Sequence, residues 1–112
     1  MKKVEAIIKP FKLDEVKAAL AGSGIQGMTV SEVVGFGRHG GHLMQYRGSE
    51  YRVESLPRIK IELLVADEWT IPVVEVIQAA ACTGHSGDGR IIVSTIDEAV
   101  RIRTGDRGAG AI

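Results

Sequence analysis

Hydrophobic and polar positions alternate most clearly over residues 58–66. Branched aliphatic side chains occupy every second position of that segment, at Ile59, Ile61, Leu63 and Val65. A period of two is typical of a β-strand with one buried face, so the segment is predicted to be a strand. Three further segments are short and rich in β-branched residues, which favours strands at residues 2–9, 28–36 and 90–94.

Two other segments carry apolar residues at helical spacing. In the first segment these residues are Leu13, Val16, Ala19 and Leu20. Gly22 and Gly24 are expected to end this helix. The stripe of the second consists of Ile71, Val74, Ile77 and Ala81. Asp67 is the predicted N-cap of this second helix, Pro72 fits its first turn, and Gly84 marks its end. Residues 99–103 are predicted to add a short extended piece.

The element order is therefore βαββαβ, which predicts an α+β, ferredoxin-like sandwich formed by residues 1–112 as a single domain. Two helices can cover only one face of a four-stranded sheet. Apolar residues nevertheless occur at adjacent positions in the outer strands, as at Ile7 and Ile8 and at Ile91 and Ile92. We expect the second face to be covered by self-association of the chain.

Composition narrows the function. The chain has 14 basic and 14 acidic residues among 112, so it lacks the net positive charge with which proteins usually bind DNA or anionic membranes. No stretch approaches the roughly 20 apolar residues of a membrane span, and no signal peptide is evident. Cys82 is the single cysteine and is expected to be packed as a small hydrophobe. A cytoplasmic protein is predicted.

About twenty residues, 38–57, separate the second and third predicted strands. Most hairpin loops have roughly 2–5 residues, so a loop of this length indicates that the loop itself has a function. It is rich in glycine and carries Tyr46, Arg47 and Tyr51, which are typical of contact surfaces. We predict a loop that is mobile until a partner binds, with tyrosines accessible to a modifying enzyme.

Residues 82–90 join the second helix to the fourth strand and contain Gly87-Asp88-Gly89-Arg90. Glycines let backbone N–H groups approach phosphate oxygens, and an arginine adds a charged fork, although a Gly-Asp-Gly sequence alone is more often an ordinary tight turn. Arg101 and Arg103 would lie on one side of an extended backbone, where both could hold phosphates. No P-loop motif is present, so any ATP hydrolysis is expected to be slow and incidental.

Two motifs resemble those of a known family, the PII nitrogen regulatory signal-transduction proteins. Residues Tyr46-Arg47-Gly48-Ser49-Glu50-Tyr51 resemble its loop signature, and Thr83-Gly84-His85-Ser86-Gly87-Asp88-Gly89-Arg90 resemble its second signature. The stretches 6–11, 27–30, 35–38 and 101–105 are similar as well, so the resemblance spans nearly the whole chain.

The resemblance implies a non-catalytic homotrimer that binds ATP or ADP, with Mg²⁺ accompanying ATP, in clefts between subunits. The implied nucleotide-binding residues are Ile7, Thr29, Gly35, Gly37, Arg38, His39, Glu62, Leu64, Gly87, Asp88, Gly89, Arg90, Arg101 and Arg103. Residues 38–57 would be the T-loop that contacts ammonium transporters, nucleotidyltransferases or nitrogen-metabolism enzymes, and residues 97–112 a C-terminal segment. Tyr51 matches the position that is uridylylated in some members, and Arg47 matches the residue that enters the transporter. Contact with a membrane would be only indirect, through such a transporter.

Two positions depart from the family pattern. Members that bind 2-oxoglutarate generally carry glutamine and lysine where this chain has His39 and Arg58. Mg²⁺ prefers oxygen ligands, whereas the imidazole of His39 offers nitrogen. The effector could therefore be 2-oxoglutarate, or it could be another small anion, such as bicarbonate, that is sensed together with ADP or AMP.

Three other hypotheses have weaker support. The same topology serves RNA recognition, but the net charge is zero and none of the five aromatic residues falls in the middle of a predicted strand. His39, His42 and His85 could ligate a transition metal, yet their spacing matches no strong ligand motif, and no metal site is predicted. A small enzyme would need a nucleophile and a base, and the sequence offers no such constellation.

Overall fold

In the computed structural model, four strands and two helices form an α+β sandwich. The structure describes residues 1–46 and 49–112, and the side chains of residues 1–36 and 55–112. In chain order the main elements are β1 Lys2–Ile8, α1 Leu13–Gly22, β2 Thr29–Tyr46, β3 Ser49–Val65, α2 Thr70–Ala81 and β4 Arg90–Thr95. Short 3-10 helices occur at Pro10–Lys12, Asp67–Trp69 and Gly108–Ala111. The βαββαβ order and the ferredoxin-like class are confirmed.

The sheet has the strand order β2-β3-β1-β4 with antiparallel neighbours. Alternation decides which side chains face the helices, because successive residues of a strand point to opposite faces. The buried core consists of Val4, Ala6, Ile8, Val16, Leu20, Ile59, Ile61, Leu63, Val65, Val73, Ile77 and Ala81. Every strand residue of this core comes from β1 or β3, which are the two central strands, and the helices contribute the rest.

The opposite face of the sheet is not covered by any described element of the chain. It carries two ion pairs along the central strands, with Lys3 Nζ 2.7 Å from Glu5 and Lys60 Nζ 3.0 Å from Glu62. Hydrogen bonding to Lys3 lowers the pKa of Glu5, and hydrogen bonding to Glu62 raises the pKa of Lys60. Ile92 of β4 also points to this face and is exposed. The face therefore mixes charged and apolar groups.

The ends of β2 and β3 differ from the prediction. Both strands continue into the segment 38–57, pairing as far as Tyr46 with Ser49, with a register shift between Gly37 and His42. Antiparallel pairing between β2 and β3 carries both strands into this segment. As a result Phe36, which was expected at the end of its strand, lies in the middle of β2.

Three local predictions were wrong. The Asp67 side chain caps no helix; its carboxylate instead contacts the N-terminal amine of Met1. Cys82 is exposed rather than packed, because it follows the last helical residue, Ala81. Residues 101–105 form a turn in which the Gly105 N–H donates to the Arg101 carbonyl over 2.7 Å.

The turn replaces the extended piece predicted over residues 99–103. An isolated bridge pairs Val100 with Arg107, so the chain must reverse between them. Gly105 makes the reversal with φ at +75°, which glycine adopts without strain. Arg101 and Arg103 are consequently not on one side of an extended backbone. Within the described part of the chain, no helix is long and apolar enough to cross a membrane.

Candidate functional site

The glycine-rich segment between α2 and β4 forms a tight turn against β1. Gly87 and Gly89 have φ values of +87° and +99°, so both lie where side chains with a Cβ are disfavoured. A Cβ on Gly89 would lie only 1.7 Å from the carbonyl oxygen of Ile7. Ile7, Gly89 and Arg90 also line one mostly apolar groove of about 370 Å³. The turn is therefore seated directly on the end of β1.

The same end of the sheet carries Arg58 of β3. A Cβ on Gly87 would lie 3.0 Å from Nη2 of Arg58, and a Cβ on Gly35 would lie 3.9 Å from its Cγ. The Arg58 guanidinium donates to the Pro57 carbonyl over 2.9 Å. We call the residues gathered here the turn cluster: Ile7, Gly35, Arg58, Gly87, Asp88, Gly89 and Arg90.

The carboxylate of Asp88 points into the turn. Its Oδ2 accepts from the backbone N–H groups of Thr83, over 2.8 Å, and Gly84, over 3.0 Å, while the Thr83 hydroxyl donates to Oδ1. Lys9 Nζ lies 3.1 Å from Oδ1. The hydrogen bonds from Thr83, together with those from Lys9 and Gly84, hold the pKa of Asp88 well below its usual range. The carboxyl group is therefore ionised at neutral pH.

A second group of candidate residues lines an open cleft of about 900 Å³ at the other end of the sheet. We call it the cleft cluster: Thr29, Glu62, Leu64 and Arg101. Trp69 adds an aromatic wall. Thr29 pairs with Glu62 across β2 and β3. The Arg101 guanidinium donates to the carbonyl of Ile112 over 2.9 Å, which ties it to the C-terminal turn.

The arginines of the two clusters, Arg90 and Arg101, line different grooves of one chain. Thr29 and Gly35 lie about 20 Å apart along β2, whereas Ile7 and Glu62 come closer, because Ile7 pairs with Lys60.

The comparison with known proteins decides the family. A family model described as nitrogen regulatory protein P-II matches residues 1–106. The chain belongs to the P-II family. The nitrogen regulatory protein P-II of Rhodospirillum rubrum is 60% identical over 112 residues, which cover 100% of both chains. Those of Rhizobium meliloti and Azospirillum brasilense are 58% and 57% identical, again over 100% of both chains. P-II proteins act in nitrogen regulation and signal transduction and are not enzymes, so the family expected from the motifs is confirmed.

The P-II motif residues divide between the clusters. The described part of the chain brings together most of the nucleotide-binding residues expected from the resemblance, but in two separate groups. Arg103 lies in the turn after Arg101, is exposed, and lines neither cleft. Gly37 pairs with Glu54 across β2 and β3. The side chains of Arg38, His39 and Tyr51, and all of Arg47, lie outside the described residues.

Lys9 and Thr83 are contacts of this P-II turn that sequence reasoning did not assign. Both lay within stretches that resemble the family, but neither was given a role. Lys9 and Asp88 are 79 positions apart in the sequence, and only the folded β1 brings them together. Among the described residues no group of three or more histidine, cysteine or acidic side chains could hold a metal ion. Of the histidines, only the side chain of His85 belongs to that part.

Proposed function

We propose that this P-II protein is a cytoplasmic regulator that binds ATP or ADP between the subunits of a homotrimer. The observation that supports the proposal is that Arg90 and Arg101 line different grooves of one chain, the first with Ile7 and Gly89 and the second with Thr29 and Leu64. In a closed ring, the turn cluster of one subunit faces the cleft cluster of the next, so each nucleotide is held by two chains.

The chemistry of the clusters suits the two ends of a nucleotide. The turn cluster supplies glycine amides and Arg90 for phosphate oxygens, and its glycines allow a close approach. The cleft cluster supplies Leu64, with Trp69 nearby, for an aromatic base, and Thr29 for a polar edge. Glu62, held by Lys60, offers acceptor oxygens to ribose hydroxyls. Arg101 would have to exchange the Ile112 carbonyl for phosphate.

Calorimetric titration of the purified protein with ATP and with ADP tests this proposal. We expect both to bind, with one nucleotide per subunit. Arg90→Met and Arg101→Met should each weaken binding roughly tenfold or more, because each removes a charged contact with phosphate. Lys17→Met removes a positive charge from the exposed side of α1 and is the matched control, with unchanged affinity. A wild-type protein that binds neither nucleotide would refute the proposal.

The output of this regulator is proposed to be the segment 38–57. As a T-loop it would contact an ammonium transporter, a nucleotidyltransferase or a nitrogen-metabolism enzyme, with Arg47 at the contact and Tyr51 as the modified residue. Strand pairing of β2 and β3 within this segment gives it a means to project from the sheet. Capture of partners from cell extract, with and without ATP, should yield a nucleotide-dependent set, and Arg47→Ala should lose the transporter from it.

The small anion sensed beside the nucleotide has two candidates. 2-Oxoglutarate is the first, and bicarbonate with ADP or AMP is the second. The second is favoured by Arg58, whose planar guanidinium lies beside Gly87 and replaces the lysine of 2-oxoglutarate-binding members. Titrating each anion in the presence of Mg-ATP, ADP or AMP distinguishes them. Tight binding of 2-oxoglutarate with Mg-ATP would exclude the bicarbonate alternative.

A further inference from the structure

Asp88 was grouped with the nucleotide ligands, yet its contacts point inward. Its carboxylate accepts from two backbone amides and one hydroxyl within residues 83–84 and pairs with the ammonium of Lys9. An ionised carboxylate accepts hydrogen bonds but cannot donate them, so it offers no direct hydrogen bond to a phosphate and repels its charge. The contacts with Lys9 and Thr83 leave its side chain 23% exposed.

Lys9 and Thr83 connect the carboxylate to the rest of the fold. Lys9 directly follows β1, its side chain is 16% exposed, and its Nζ also donates to the Thr83 hydroxyl over 3.3 Å. The same hydroxyl accepts from the His85 N–H over 3.2 Å. The bonds form a ring that fixes the start of the turn, and Gly89 fixes its end against the Ile7 carbonyl.

The hydrogen bonds to Asp88 also determine which backbone N–H groups of the turn already have an acceptor. The backbone N–H groups of Thr83 and Gly84 both donate to the carboxylate of Asp88. Within the described part of the chain, the N–H groups of Gly87 and Gly89 donate to no protein acceptor. The amides left for an anion are therefore those whose positions depend on the ring.

We propose that Lys9, Thr83 and Asp88 form a clamp that holds the glycine-rich turn in its phosphate-binding shape, with Asp88 a positioning residue and not a ligand. The proposal rests on the nucleotide binding proposed above. It assigns roles to Lys9 and Thr83 and changes the expected role of Asp88. The clamp acts by keeping the amides of Gly87 and Gly89 in place before the ligand arrives, so that binding does not have to order them.

Two measurements on the full-length protein separate a clamp from a ligand. The first is hydrogen exchange at the amides of Thr83 and Gly84 without nucleotide. Asp88→Asn should accelerate it roughly tenfold, because an amide side chain cannot accept bonds on both ends. The second is the affinity for ATP, which should fall roughly tenfold in Asp88→Asn, Lys9→Met and Thr83→Val.

Conservative and distant variants serve as controls. Thr83→Ser keeps the hydroxyl and should restore both readouts to wild-type values. Glu75→Gln and Lys17→Met each remove one charge from an exposed helix position and should change neither readout. If Asp88→Asn fails to fold, Lys9→Met and Thr83→Val decide the question, since each removes only part of the ring.

The outcomes distinguish the clamp from the nucleotide proposal. Loss of ATP affinity in Asp88→Asn with unchanged exchange would identify a direct ligand and overturn the clamp. Unchanged or tighter ATP binding in all three variants would overturn it as well. If the wild-type protein binds no nucleotide, the proposed function fails, and the exchange rates alone then decide whether the ring holds the turn.

Discussion

Gly89 packs against the carbonyl oxygen of Ile7 with no room for a single methyl group. A Cβ there would come within 1.7 Å of that oxygen, and the backbone φ of +99° is itself unfavourable for other residues. We expect Gly89→Ala to lower the free energy of unfolding by about 2–4 kcal/mol, from the strained backbone and the overpacking together. Denaturant unfolding at matched protein concentration measures it.

Gly105→Ala is the matched control for Gly89→Ala. Gly105 also has a positive φ, of +75°, but a Cβ there meets no atom within 4 Å. Gly105→Ala should lower the free energy of unfolding only through the unfavourable backbone conformation, by about 1–2 kcal/mol. Equal costs at the two positions would contradict the close packing of the turn on β1.

Helix α2 offers a test of the core. Ile77 is fully buried between the helices and the sheet, whereas Ile71 on the same helix is 70% exposed. Ile77→Ala should cost about 2–5 kcal/mol of unfolding free energy, through lost burial and the cavity left behind. Ile71→Ala should stay within about 0.5 kcal/mol of wild type. A large decrease in unfolding free energy for Ile71→Ala would instead show that Ile71 is covered by another subunit in the assembly.

Mixing variants tests whether a nucleotide site spans two chains. Arg90→Met and Arg101→Met damage different clusters, so co-expression of the two should restore about one quarter of the ATP sites by random assembly. Calorimetry of the mixed protein gives the fraction. Each variant expressed alone is the control and should contain no intact ATP site. A site contained within one chain would show no restoration in the mixture.

Acidification tests the contacts of Asp88. Because its folded pKa lies below the ordinary value of 3.8, the carboxylate stabilises the fold fully above that value. The stabilisation is lost as the pH falls through the lowered pKa. The melting temperature of Asp88→Asn should therefore lie below that of wild type at pH 7, and the gap should close in strong acid. A gap that stays constant from pH 7 to about pH 2 would exclude a role for the charge.

The sequence predicted the helices and strands that bury one face, because their apolar side chains recur at regular spacing. Alternation at Ile59, Ile61 and Leu63 identified β3, and the helical stripes identified α1 and α2, because one-sided burial imposes a period on the chain. It did not predict the extension of β2 and β3, since backbone pairing leaves no mark in the pattern of apolar residues.

The candidate site was predicted in composition but not in arrangement. The motifs identified Gly87, Gly89 and Arg90, whose spacing is local. The contact of Lys9 with Asp88 joins distant parts of the chain, and the direction of a carboxylate is fixed by its partners and not by its neighbours in sequence. Likewise, Thr104 and Gly105 turn the chain where an extended segment was expected, because Val100 pairs with Arg107.

The separation of the turn and cleft clusters has a genetic consequence. In a ring where each subunit contributes one cluster to the site on either side of it, a copy carrying both Arg90→Met and Arg101→Met would impair both neighbouring sites. Such an allele should be dominant over a wild-type gene in the same cell, and its effect should grow with its relative expression.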